Sequence, residues 1–343
     1  MVFHSQLTHP KELRGEKNLP GEPGIPEVIR ITRLGDPYPR LSQILGTPYE
    51  LYRTAFQKAQ AGALPPLPLH VDVDITTRCN LACPMCPAGH KTQSLFPGMG
   101  VDLDGNLLEL FLNETLDLKI PSLRLGVTGE PLLRVETLDS LKLLGKKILD
   151  LSLITNGQKL TPDVSLKLVR QKLTQLMVSV DAGCQETYRK VRPGGDFDLL
   201  VHNLKEFLQI RKSEKSPLPL LRLSYVEISS DPTDKALFLK KFGPLADYLV
   251  FQKYVPLMAK KTSPGQGHLE TGRCTEPFTR LALYANGSLF PCCSDFGRLA
   301  PVGVFPEISI QEAWENESAQ LTRLTFPDNL QNPACRECAT SLV

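Results

Sequence analysis

The chain has 343 residues, with 39 Lys and Arg against 37 Asp and Glu, for a formal net charge of +2. That balance gives no electrostatic case for a nucleic-acid partner or an acidic membrane surface, and no apolar run approaches the roughly 18–20 residues needed to span a bilayer. The N-terminus, MVFHSQLTHPKELRGEK, lacks the apolar core of a secretion signal, so a cytoplasmic location is expected, where clustered cysteines, nine here, point to metal or redox chemistry before disulfides.

Residues 1–66 are rich in proline, with Pro20, Pro23, Pro26, Pro37, Pro39, Pro48, Pro65 and Pro66. Such a stretch cannot sustain a central sheet. It reads as an arm wrapping the main body, with one helix over 48–62 that stops at Gly62 and with part of its length lacking fixed structure. From residue 68 a rhythm begins. Strand-like runs fall at 68–76, 121–128, 149–155, 174–181, 219–229 and 246–254, and helical stretches lie near 102–117, 133–147, 163–172, 196–213 and 232–243. Strand, helix, strand repeated in this way implies parallel strands with right-handed crossovers. Six units give an α/β fold: an open, partial (β/α)6 TIM-like barrel over 67–256, with its chemistry at the strand C-termini. The Pro-, Gly- and Lys-containing stretch 257–272 breaks the rhythm. A small α+β unit is expected from 257 to 343, with a hairpin at Asn286-Gly287, a helix near 309–323 and the closing CREC.

Directly after the first strand stands RCNLACPMCPAGH, which places Cys79, Cys83 and Cys86 on one short loop. Thiolates bind soft metals, and a structural zinc site wants four ligands. By spacing alone, the triplet plus His90 could be a zinc knuckle. Three thiolates on a cubane would instead leave one iron open.

The C-x3-C-x2-C triplet after strand one resembles the signature of the radical S-adenosylmethionine (SAM) superfamily. The resemblance implies that Cys79, Cys83 and Cys86 hold a [4Fe-4S] cluster whose fourth iron chelates SAM. One electron then cleaves SAM to a 5′-deoxyadenosyl radical that takes a substrate hydrogen. Met85 stands where the family usually has an aromatic residue, and it can still pack beside adenine. Further strand ends agree. LGVTGEP closes strand two and is similar to the family's Gly-Gly-Glu-Pro turn, with Thr128 in place of the first glycine; it implies that Gly129 and Glu130 bind the methionine ammonium. LITNG places Asn156 after strand three. VSVDAGCQETYRKVRPGG closes strand four and implies that Ser179 and Asp181 lie beside SAM, with Arg192 facing its carboxylate. Read without the resemblance, Glu130 is a residue at a helix N-terminus, Ser179 and Asp181 are a strand end capping the next helix, and Cys184 is an inert thiol.

Five cysteines follow residue 255: Cys274, Cys292, Cys293, Cys335 and Cys338. The run Cys274, twelve residues, Gly287, four residues, Cys292 is similar to the opening of the superfamily's SPASM and twitch extensions. It implies one auxiliary [4Fe-4S] cluster on Cys274, Cys292, Cys335 and Cys338, with Cys293 spare and interchangeable with Cys292. A zinc site from the same thiolates is the alternative. The whole resembles the single-auxiliary-cluster group that includes an aminocyclitol dehydrogenase. That likeness implies oxidation or epimerisation of a carbinol on a small, sugar-like substrate, with an electron donor such as flavodoxin or ferredoxin. A base is then required within hydrogen-bond reach; the polar residues at strand ends five and six are Glu227, Gln252, Lys253 and Tyr254, and the first, third and fourth are taken as the candidates. The alternatives are an enzyme that epimerises or forms thioethers in peptides, and a metal-stabilised scaffold with no catalysis.

Overall fold

The computed structural model describes residues 31–90, 98–228, 231–254, 275–293, 295 and 300–324. Ten strands make one sheet: β1 Ile31–Leu34, β2 His70–Val73, β3 Ser122–Leu125, β4 Asp150–Thr155, β5 Gln175–Ser179, β6 Leu220–Glu227, β7 Tyr248–Lys253, β8 Arg280–Leu283, β9 Ser288–Phe290 and β10 Gly303–Val304. The order across the sheet is β1-β7-β6-β5-β4-β3-β2-β8-β9-β10. Strands β2 to β7 are each parallel to the next, as expected of βα repeats that wind one way. The far side of β7 is taken by the antiparallel β1, so the barrel stays open.

The crossovers are set by local chemistry. Asp104, Asp196 and Asp231 cap the helices Gly105–Asp117, Phe197–Ser213 and Pro232–Phe242 by accepting first-turn backbone N–H bonds. A cap of this kind contributes about 1 kcal/mol. Alternate strand residues then go to opposite faces. Val71, Val73, Leu123, Leu125, Leu176, Val178, Leu221 and Leu223 are buried in the main core with the helices. Their neighbours on the inner face are mostly polar, His70, Asp72, Arg124, Ser152, Gln175, Arg222 and Arg280, with Met177 among them. The interior of this barrel is therefore a charged space rather than an apolar plug.

The lower end, at the strand N-termini, is filled by the arm. Two helices, Pro37–Leu45 and Thr47–Gln60, pack Leu41, Tyr49 and Tyr52 against Leu218, Leu220, Tyr248 and Val250. Only the second helix was legible by pattern. Pro37 and Pro39 read as breakers, yet Pro37 occupies the first turn behind an Asp36 cap, where a missing N–H costs nothing. The arm also supplies β1, the proline-free stretch ITRL between Pro26 and Pro37, at the sheet edge. At the other edge, β8 runs parallel to β2, so the small C-terminal unit expected from 257 onward continues the same sheet. The Asn286-Gly287 hairpin is present between β8 and β9, with Gly287 at φ +85°. The expected helix near 309–323 is two helices, Ile310–Glu315 and Glu317–Leu324. The stretch 257–272, residues 1–30 and the CREC segment lie outside the described residues.

Candidate functional site

The cysteine loop leaves β2 at the upper end of the barrel. Cys83 is buried, while Cys79 and Cys86 are partly exposed. Gly89 closes the loop against it: a Cβ there would meet the Cys83 carbonyl oxygen at 2.3 Å, so no other residue fits. Met85 lies in the turn between the second and third cysteines, partly buried. The Ala82 N–H donates to Pro193 O at 2.9 Å, which ties the loop to the turn that carries Arg192.

Three further strand ends, those of β3, β4 and β5, converge on this loop. After β3, Thr128 donates its N–H (3.1 Å) and its hydroxyl to the buried Asp74 carboxylate, and its carbonyl lies 3.9 Å from Cys86 Sγ. Gly129 has no room for a side chain, since a Cβ would meet Thr76 O at 2.1 Å. Glu130 is 1% exposed, and its carboxylate accepts from Leu132 N (3.0 Å), Thr155 Oγ1 (2.7 Å) and Asn156 N (2.7 Å). Burial pushes the Glu130 carboxyl up, against the pull of those donors. Both oxygens are thus committed to clipping the β3 turn onto the end of β4. After β4, Asn156 Nδ2 donates to Asn80 Oδ1 at 2.9 Å and lies 3.8 Å from Cys79 Sγ.

After β5, Ser179 is partly exposed and paired in register with Ser224. Asp181 is buried at φ +59°, a conformation that Asp tolerates better than most residues. One of its oxygens accepts from Val226 N at 2.9 Å, and the other is paired with Arg192. Arg192 Nη1 reaches Cys83 Sγ at 3.6 Å, while its buried Nε has no partner among the described residues. Burial opposes this guanidinium's charge, but Asp181 and Cys83 hold its proton firmly.

Burial raises all three thiols, Cys79 to about 11. Metal coordination reverses that penalty, because a coordinating thiol is deprotonated outright. The three soft thiolate donors and the orphaned Arg192 Nε beside Cys83 fit a thiolate-bound cluster with an anionic ligand next to it.

The second cysteine region is different. Glu276, Cys292 and Cys293 bring their ligand atoms within 4.8 Å of one another. Arg124 Nη2 lies 3.3 Å and Arg280 Nη1 3.9 Å from Cys293 Sγ. A hydrogen bond from Cys292 lowers the Cys293 thiol to about 7, and both arginines act in the same direction. Cys274, Cys335 and Cys338 lie outside the described residues. Glu276 and the two arginines were not found from sequence, because only the register of β2, β3 and β8 brings them together.

Of the three candidate bases, Glu227 pairs with Lys235 Nζ at 2.5 Å and shares the helix-facing alternation of Leu221, Leu223 and Tyr225. Tyr254 is exposed just beyond β7. Lys253 ends β7, and its side chain lies outside the described residues. Gln252 is partly exposed and shares the inner-face alternation of Val250. Asp74 and Asn80, which hold the Thr128 turn and Asn156, escaped the sequence reading because a lone Asp or Asn in a turn carries no signature.

Residues 73–216 match the family model of the radical SAM superfamily, and residues 274–339 match that of the SPASM iron–sulfur cluster-binding domain. This is a radical SAM protein with a SPASM extension. A GTP 3′,8-cyclase from Petrotoga mobilis is 28% identical over 149 residues, covering 41% of this chain and 43% of that protein. The chain spans only part of the length of the curated relatives it matches, from 43% to 59%. Among solved structures, Streptococcus suis SuiB bound to its precursor peptide SuiA superposes with TM-score 0.59 at 14% identity, covering 83% of this chain and 71% of SuiB. Native anSMEcpe with bound AdoMet gives 0.56 at 16% identity, covering 73% and 82%. Both likenesses concern the fold. The radical SAM domain implies SAM and a [4Fe-4S] cluster, and the SPASM domain implies auxiliary iron–sulfur clusters. Among the described residues of this radical SAM protein, no helix is long and apolar enough to cross a membrane.

Proposed function

We propose that Cys79, Cys83 and Cys86 hold the SAM-binding cluster and that SAM lies across Gly129, Asn156, Ser179 and Arg192, with Met85 beside it. The single observation that carries this is the convergence of three consecutive strand ends, β3, β4 and β5, on one three-thiol loop. Within it, Glu130 and Asp181 shape the cradle: Glu130 clips two turns together, and Asp181 aims Arg192 at Cys83. Arg192 presents a fixed guanidinium to the carboxylate of SAM, and the Thr128 carbonyl faces the third thiol. When bound, the cluster and SAM supply hydrogen-atom abstraction. Cys292, with Cys274, Cys335 and Cys338, holds the auxiliary cluster, and the Glu276–Arg280 pair at 2.5 Å lines that end of the barrel.

The substrate enters the polar barrel interior. Oxidation or epimerisation of a carbinol on a small sugar-like or aminocyclitol-like molecule is the reading carried forward, with proton acceptance by Tyr254 or Lys253 at the upper end of β7 and Glu227 held back by Lys235. A soluble one-electron donor such as flavodoxin or ferredoxin is its partner. Domain limits of 67–256 for the barrel and 257–343 for the cluster unit go with this proposal. A nucleotide substrate is the second reading, favoured by the sequence likeness of the barrel to proteins named GTP 3′,8-cyclase.

Oxygen-free reconstitution tests the proposal. About eight irons per chain are expected if both sites hold cubanes, with 5′-deoxyadenosine formed from SAM under dithionite. Cys83→Ala should abolish SAM cleavage and remove about half of the iron. A colourless ion at the loop, or no cleavage by the fully loaded protein, would overturn the reading.

A further inference from the structure

Among the described residues, the barrel strands place Arg124, Arg222 and Arg280 on the inner face with two carboxylates, Asp72 and an Asp150 that is bonded to Gln175 at 2.9 Å. Arg124 and Arg280 share Asp72, with nitrogen–oxygen distances of 2.6 and 3.2 Å. Arg222, the third residue of β6, has no such partner: among the described residues it forms no ion pair. Its Nη1 makes only a weak contact with Met177 Sδ at 3.4 Å, and its buried Nε has no hydrogen-bond partner. Burial pushes this guanidinium down; Arg124 and Arg33 push the same way, and only the phenols of Tyr248 and Tyr38 oppose them. An arginine cannot shed its proton to escape that penalty, and a guanidinium fork with a free edge is shaped for a planar anion.

Placement adds to this. Arg222 pairs in register with Met177, and two residues further along the same strands Ser224 pairs with Ser179, which is proposed to lie beside SAM. Two residues of strand are about 7 Å. Arg33 on β1 pairs with Val250 and so shares the inner face. The arm closes the space below with Tyr38, over whose ring Arg33 lies at 5.3 Å.

We propose that Arg222, flanked by Arg33 and Arg124, is an anion-binding subsite that anchors a carboxylate or phosphate of the substrate one side-chain layer below the SAM level. This rests on the functional reading above and narrows its substrate class: the reacting molecule carries a negative group several ångströms from the carbon that loses hydrogen. Neutral sugars and free aminocyclitols do not meet that requirement; their acids and phosphates do.

The test uses the reconstituted full-length protein saturated with SAM, so that Arg192 is already occupied, and isothermal titration at fixed ionic strength, with inorganic pyrophosphate and malonate as probes and chloride as the baseline. One binding event per chain is expected, and the preferred probe distinguishes a phosphate from a carboxylate source. Arg222→Met should weaken binding at least about tenfold, the loss of one charge-assisted pair, and Arg222→Lys should fall between. Should Arg222→Met fail to fold, Arg222→Lys and Arg33→Met carry the test, each expected to weaken binding several-fold. Equal binding by wild type and variants, or none by wild type, overturns the subsite. SAM cleavage by the wild type is measured in parallel: cleavage without anion binding overturns this inference alone, whereas absence of cleavage overturns the functional reading.

Discussion

The two ends of the barrel interior are built from the same strands and do opposite things. At the upper end, polar groups converge with their bonding capacity in part unspent: Arg192 Nε, the sulfurs and the Thr128 carbonyl face one space. At the lower end, Leu41, Tyr49 and Tyr52 of the arm fill the opening as a packed cluster. Strand N-termini carry no loops that need variation, so they can be sealed for stability, whereas the C-termini carry the variable loops. The charged layer of Asp72, Arg124 and Arg280 lies between the two ends, and the comparison breaks first there. Asp72 is fully buried. Burial works against its charge, yet Arg124, His70 and Arg280 hold its carboxyl far below the usual range. Asp72→Asn leaves the buried Arg124 uncompensated and Arg280 with Glu276 alone, and should cost about 3–5 kcal/mol in denaturant unfolding. The sign in pH follows. Because the folded carboxyl is depressed, its contribution is complete above the unfolded value near 3.8 and is lost as pH falls below it, by about 1.4 kcal/mol per pH unit. The gap between wild type and variant should therefore narrow below about pH 4. A gap that stays constant there would mean that Asp72 is not held charged by its arginines.

The next effect isolates the lower end. Leu41 is fully buried among tyrosines and β6–β7 side chains. Leu41→Ala should cost about 2–5 kcal/mol by transfer and cavity terms, measured as a shift of the denaturant midpoint. Iron content and SAM cleavage of the folded variant should match the wild type. If cleavage falls with stability at working temperature well below unfolding, the two ends are coupled and the division drawn here is too sharp.

That division explains what could be read from the chain. The six parallel strands were legible because every second residue on the helix side is apolar, as with Leu151 and Leu153 in β4. The cysteine loop was legible because three ligands in eight positions are local in sequence. The charged layer was not: Asp72, Arg124 and Arg280 are far apart in the chain and meet only through strand register. Glu130 shows a subtler gap. Its place in the turn could be read, but the structure spends its carboxylate on Thr155 and Asn156, bonds that depend on where β4 ends. The arm's first helix was hidden because proline in a first helical turn looks the same in sequence as proline that breaks an element, and the four-residue β1, ITRL, is too short to show a pattern.

The smallest expected effect probes where the plug meets the polar interior. Tyr49 is fully buried, and its hydroxyl has no hydrogen-bond partner among the described residues. Burial, and then the nearby Asp150 carboxylate, raise its phenol well above the ordinary value, so the group stays neutral throughout the accessible pH range. The ring itself packs edge-on against Tyr52 with centroids 5.8 Å apart, and phenylalanine preserves that packing. A buried hydroxyl without a partner costs about 1–3 kcal/mol, and its removal recovers part of this. Tyr49→Phe should thus be neutral or stabilising by up to about 1 kcal/mol, read as a higher denaturant midpoint at an unchanged slope. A loss of about 1 kcal/mol or more would instead show that the hydroxyl is bonded through water towards Asp150. The polar network of the interior would then reach into the arm, and the lower end would be part of the site rather than its stopper.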